Sequence, residues 1–136
     1  MPITYTISPD ERLIKAYATG IIRAEDLNGL IDAILVDPAL GPGMRGLYDS
    51  RFAEPDITIL QLAEVAAKAL KVINRGLGRI AIVAQSQTTY RVSQTFAVLA
   101  RAIGIQVEVF TKLRAAEGWL DEANGHSDSG EKPLLR

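Results

Sequence analysis

The stretch GLYDSRFAEPDIT, residues 46–58, sets Asp49, Ser50 and Arg51 where an apolar run gives way to polar residues. Each type has a chemistry. Asp49 could serve as a base, Ser50 could accept a phosphoryl group, and Arg51 could hold an anion. A phosphate on Ser50 would bring about −1.5 to −2 of charge, enough to reshape a docking surface. A second polar stretch, QSQTTY at residues 85–90, supplies Gln85, Ser86, Thr88 and Tyr90. In parallel sheets ligands bind beyond the carboxyl ends of the strands. If the strands before these two stretches are neighbours, the seven residues form one polar rim for a partner or a ligand, with Ser50 as its phosphosite. The competing reading is local. Asp49 and Ser50 satisfy backbone donors in a turn, and Thr88 or Thr89 caps a helix.

Other residues carry less chemistry. GLG, with Arg75 and Arg79, follows a helical pattern and opens a strand, the reverse of a dinucleotide-binding fingerprint, so it reads as a helix stop. His126 is the one histidine and lies in a small, polar, charged C-terminal stretch. Alone it makes neither a metal site nor a well-placed base. Glu25 and Asp26 suit the positive start of a helix. Glu54 and Asp56 flank Pro55 in an expected loop, and Trp119 reads as a cover on the core edge. No catalytic residue, cofactor or metal site is assigned on these grounds.

The elements that must position the rim follow from periodicity. Ile3, Tyr5 and Ile7 alternate with polar residues, as in a strand with unlike faces, and Leu13–Ala18 reads as its antiparallel partner, ended by Gly20. A helix begins near Ala24 with Leu27, Leu30, Ile31 and Ile34 at helical spacing, and DPALGPG stops it. RGLYDS is a short buried strand and RFAEPD a loop. Thr58 caps a long helix to about Asn74 whose stripe is Leu62, Ala66, Ala69, Leu70 and Ile73, with Gly76 as its left-handed terminator. RIAIVA is apolar at successive positions, as a strand covered on both faces must be. A helix with Val92, Phe96, Leu99 and Ile103, the strand IQVEVF, and a last helix capped by Thr111 complete the order ββαβαβαβα. That order predicts an α/β domain over residues 1–122, with a mostly parallel five-stranded sheet, an antiparallel first strand and four helices. Residues 123–136 read as a disordered tail.

Composition bounds the rest. The 136 residues suit one domain, and 15 basic against 16 acidic side chains leave a net charge of −1, so nothing points to nucleic acid. There are no cysteines, hence no disulfide or thiolate chemistry. No apolar run approaches the about 20 residues that span a bilayer. The expectation is a cytoplasmic protein without membrane insertion.

The segments GIIRAEDL, RIAIVA and VEVFTKLRAAEGWL, with the order of elements, resemble the SpoIIAA-like branch of the STAS-domain superfamily, named for sulphate transporters and anti-sigma-factor antagonists. The resemblance covers most of residues 3–120. It implies a compact α/β domain that works by binding partners, and beside the lack of catalytic chemistry the expectation is a non-enzymatic one. In phospho-regulated antagonists the switch serine sits in an Asp-Ser-Ser-Gly type motif. Asp49 and Ser50 match its start, but the second serine and the glycine are absent, and Arg114 stands where the branch prefers an acid.

The resulting expectation is a regulatory or protein-interaction domain, with a homodimer among the partners to be tested. The alternative is a module for a small apolar or lipid-like ligand, with Ile59, Leu60, Ala63 and Ala67 lining a cavity or packing a dimer.

Overall fold

A computed structural model describes residues 2–122; the expected tail and His126 lie outside the described residues. The elements are β1 (Ile3–Ser8), β2 (Leu13–Arg23), α1 (Ala24–Leu35), β3 (Met44–Asp56), α2 (Ile59–Ile73), β4 (Leu77–Val83), α3 (Gln87–Ala102), β5 (Gln106–Phe110) and α4 (Leu113–Glu122). They make one five-stranded sheet in the order β1-β2-β3-β4-β5, with β1 antiparallel to β2 and the other pairs parallel.

The layers follow from that order. Each parallel crossover is expected to be right-handed, and the strands advance steadily in one direction. Right-handed crossovers that all step the same way deliver their helices to the same face. Accordingly α1, α2 and α3 share a core with the sheet, in which Ile31 and Ile34, Val65, Ala69 and Val72, and Ala97 and Ala100 surround Ile14 and Ile82. No strand follows β5, so α4 is free to return across the opposite face, where Ala116 and Leu120 pack on Leu47, Ala81 and Val83. One short helix cannot cover five strands. The part of that face over β1 and β2 stays open, which is why β2 alternates buried and exposed residues while β4 ends in a buried run.

Local chemistry sets the boundaries. Thr58 begins α2 with a capping box: its Oγ1 accepts from the Gln61 N–H at 3.1 Å, and Gln61 Oε1 accepts from the Thr58 N–H at 2.9 Å. Asp26 accepts from the Arg23 N–H at 2.8 Å at the start of α1, the helix-start role expected of it. Gly76 ends α2 at φ 130°, where a Cβ would collide with the Gly41 carbonyl, so the position demands glycine.

Three expectations are corrected. Gly20 does not end β2; the strand runs on to Arg23, paired with β3 as far as Asp56. RFAEPD is not a loop, because the same pairing carries it as the second half of a 13-residue strand. Ser86, rather than Thr88 or Thr89, caps α3, its Oγ accepting from the Thr89 N–H at 3.1 Å.

Candidate functional site

The sheet divides the expected rim. In β3, Leu47 and Asp49 point to the α4 face, while Gly46, Tyr48 and Ser50 point to the helical layer, as strand alternation requires. Asp49 is opposite Val83 in the pairing of β3 with β4, so these strands are neighbours. The helix that QSQTTY starts nevertheless lies on the far side of the sheet from the Asp49 side chain. Asp49 and Arg51 therefore do not share a surface with Thr88 and Tyr90.

Asp49 and Arg51 engage each other. Arg51 Nε donates to Oδ1 at 2.9 Å and its terminal nitrogen to Oδ2 at 2.7 Å, with a further donor from the Arg51 backbone N–H at 3.2 Å. Partial burial alone would raise the Asp49 pKa. These hydrogen bonds outweigh it and hold the carboxyl below its ordinary value. An aspartate so stabilised as its anion is a poor base.

Ser50 is 2% exposed and its hydroxyl donates to the Val83 carbonyl at 2.7 Å. It ties β3 to the end of β4 and faces inward, so it adds nothing to an outer rim. Gln85, Ser86 and Thr88 are exposed beside the α3 start, and Tyr90 accepts from Gln94 Nε2 at 2.8 Å. Thr89, buried, donates to the Ala53 carbonyl at 2.9 Å and pins α3 to β3. Arg79 is held over Trp119, 4.6 Å from the ring centre, and donates to the Trp119 carbonyl at 3.0 Å; it serves the fold. Glu54 is exposed and Asp56 forms an exposed pair with Arg23 at 3.6 Å.

The structure shows a different concavity. Between the sheet and α1, α2 and α3 lies a cavity of about 160 Å³. Its walls are almost wholly apolar: Ile22, Leu27 and Leu30, Leu62 and Val65, Val92 and Phe96, with Pro55 and Ile57 at the β3–α2 corner. No charged side chain lines it among the described residues. Four hydroxyl-bearing residues do: Tyr48, Ser50, Thr89 and Ser93. Ser50 and Thr89 spend their protons on backbone carbonyls. Burial, and secondarily the Asp26 carboxylate, push the Tyr48 pKa upward, so its hydroxyl stays neutral.

Sequence reasoning assigned the wrong face of α2 to this role. Ile59, Leu60, Ala63 and Ala67 do not line this cavity, Ile59 and Leu60 being 68% and 71% exposed, whereas Leu62, Val65, Ala69 and Val72 do. The signal for the cavity was present only as breadth: α1, α2 and α3 carry many small or medium apolar residues facing one another.

On the other side of the sheet, Tyr17, Ile21 and Phe52 are 43%, 51% and 61% exposed where α4 does not reach. Tyr17 and Phe52 meet edge to face with ring centres 6.5 Å apart, and Arg51 lies 5.8 Å over the Phe52 ring.

Comparison with solved structures decides the class. The crystal structure of an uncharacterised protein of the DUF3478 family from Shewanella loihica PV-4, with a SpoIIAA-like fold, superposes with a TM-score of 0.57 at 18% identity, covering 87% of this chain and 93% of that one. This chain has a SpoIIAA-like fold. The expected fold, a mostly parallel five-stranded sheet with an antiparallel first strand and four helices, is the one found. No protein-family model matches the chain, and no curated protein does. Among the described residues, no helix is long and apolar enough to cross a membrane.

Proposed function

We propose that this SpoIIAA-like domain is a non-enzymatic binding module whose ligand is a small apolar molecule held between the sheet and helices α1 to α3. The observation that carries the reading is the cavity of about 160 Å³ with apolar walls. A concave, apolar-walled space of about 150 Å³ is large enough for a benzene-sized guest. The weak basicity of Asp49 favours binding over base catalysis. A cytoplasmic location accords with the absence of cysteine.

The test is a calorimetric titration with toluene, repeated on Ala69→Leu, which puts extra volume into the cavity wall. The expected result is binding by the parent and its loss in the variant, with the variant still folded by circular dichroism. Absence of binding by the parent would overturn the reading.

A second reading is favoured by the exposed Tyr17, Ile21 and Phe52. Exposed aromatic clusters mark contact surfaces, so this face is proposed for a protein partner, including a second copy of the chain. Sedimentation of the parent and Phe52→Glu tests the second-copy form. A concentration-dependent dimer lost in the variant is expected, and a monomer at high concentration sinks it.

A further inference from the structure

The cavity has two hydroxyls with nothing to bond. Ser93 is 8% exposed, lines the cavity from α3, and makes no side-chain hydrogen bond among the described residues. A helical serine can donate to the carbonyl one turn back, and Ser93 makes no such bond. Tyr48 rises from β3 into the same space, and its hydroxyl likewise has no partner among the described residues. Neither atom is sealed off: the one buried side-chain nitrogen or oxygen without a partner and without contactable surface, among the described residues, is Nε of Arg45, whose guanidinium bonds Asp121 of α4. Both hydroxyls thus keep some contactable surface on residues that line the cavity. Neither bonds a protein group among the described residues, so each is free to bond a polar atom of a guest, and two such hydroxyls on residues of one apolar chamber form a pattern that a ligand would use.

Resting on the ligand-binding reading, we infer that the cavity takes a neutral, mostly hydrocarbon molecule carrying one hydroxyl or carbonyl group, which Tyr48 and Ser93 anchor. Three features select this class. The absence of charged lining residues among the described residues makes an ionised ligand costly to bury. The volume admits one ring or a short chain. A hydroxyl can donate or accept as it rotates, so Tyr48 and Ser93 suit either an alcohol or a carbonyl. Phenol-like molecules and short-chain alcohols or ketones fit this description, whereas fatty acids and nucleotides do not.

The experiment pairs two ligands of one shape, toluene and p-cresol, against the parent, Tyr48→Phe and Ser93→Ala. One neutral hydrogen bond is worth about 1 kcal/mol, or about fivefold in affinity. Each variant should weaken p-cresol by about fivefold and leave toluene unchanged or tighter, with thermal melts showing that both variants fold. If the variants shift both ligands alike, the anchoring role is wrong while the cavity stands. If toluene and p-cresol both fail to bind the parent, the ligand-binding reading falls and takes this inference with it. Should one variant not fold, the other still decides, since each hydroxyl is tested separately.

Discussion

Replacing Ser50 distinguishes a structural hydroxyl from a regulatory one. Its Oγ donates to the Val83 carbonyl at 2.7 Å in a site that is 2% exposed. Ser50→Ala removes that bond and costs about 1–2 kcal/mol. Ser50→Asp, the usual mimic of phosphorylation, sets a carboxylate against a carbonyl oxygen in an apolar layer. Leaving an uncompensated charge buried costs about 3–5 kcal/mol. For a chain of 136 residues each kcal/mol moves Tm by about 4 °C. Thermal unfolding at pH 7 should therefore fall by about 4–8 °C for Ser50→Ala and by about 12–20 °C for Ser50→Asp. The two also differ in pH dependence. A buried carboxyl has a folded-state pKa above its unfolded value, so its penalty grows as pH rises above about 4 and disappears below. The Ser50→Asp deficit should shrink toward that of Ser50→Ala as pH is lowered toward 4. An Asp variant that melts within about 2 °C of the Ala variant at pH 7 would refute the burial argument and restore an accessible, modifiable serine.

Asp49 and Arg51 should leave a mark on the acid limb. The folded-state pKa of Asp49 is lowered, so its contribution is complete above the ordinary aspartate value near 4 and is lost as pH falls through the lower folded value. Urea unfolding of the parent and Arg51→Met should show a gap at pH 6 that closes in strong acid; a constant gap would mean that the pair does not hold the proton off. Gly76→Ala should cost about 3 kcal/mol or more by the same assay, since the Cβ meets the Gly41 backbone at φ 130°, and a loss under about 1 kcal/mol would contradict that contact. Arg45→Met should be neutral or stabilising by about 1 kcal/mol, because the buried guanidinium has an unpartnered Nε and its carboxylate partner Asp121 is mostly exposed; a large loss measured by denaturant titration would show the Arg45 bond to the Glu11 carbonyl to be worth more than its desolvation costs.

The sequence by itself determined the order of elements, the antiparallel first strand and the start of α2. These depend on residues near one another: the alternation in Ile3–Ser8, the Thr58–Gln61 capping box, the unbroken apolar run of β4 and the glycine after Asn74. The SpoIIAA-like architecture was legible as a resemblance, carried by GIIRAEDL, RIAIVA and VEVFTKLRAAEGWL together with the order of elements. Tertiary structure alone decided where the polar residues point. RFAEPD has loop-like composition, yet pairing with β2 makes it strand, since a neighbouring strand satisfies its backbone more fully than water in a turn would. That extension turns Ser50 inward and puts Asp49 on the opposite face from the start of α3, so a rim contiguous in sequence logic is split by the sheet. The cavity is non-local in the same way. Tyr48 and Ser93 are 45 positions apart in the chain, and no spacing rule links them. They line one chamber because three helices are delivered to one face of the sheet and their side chains leave it incompletely filled.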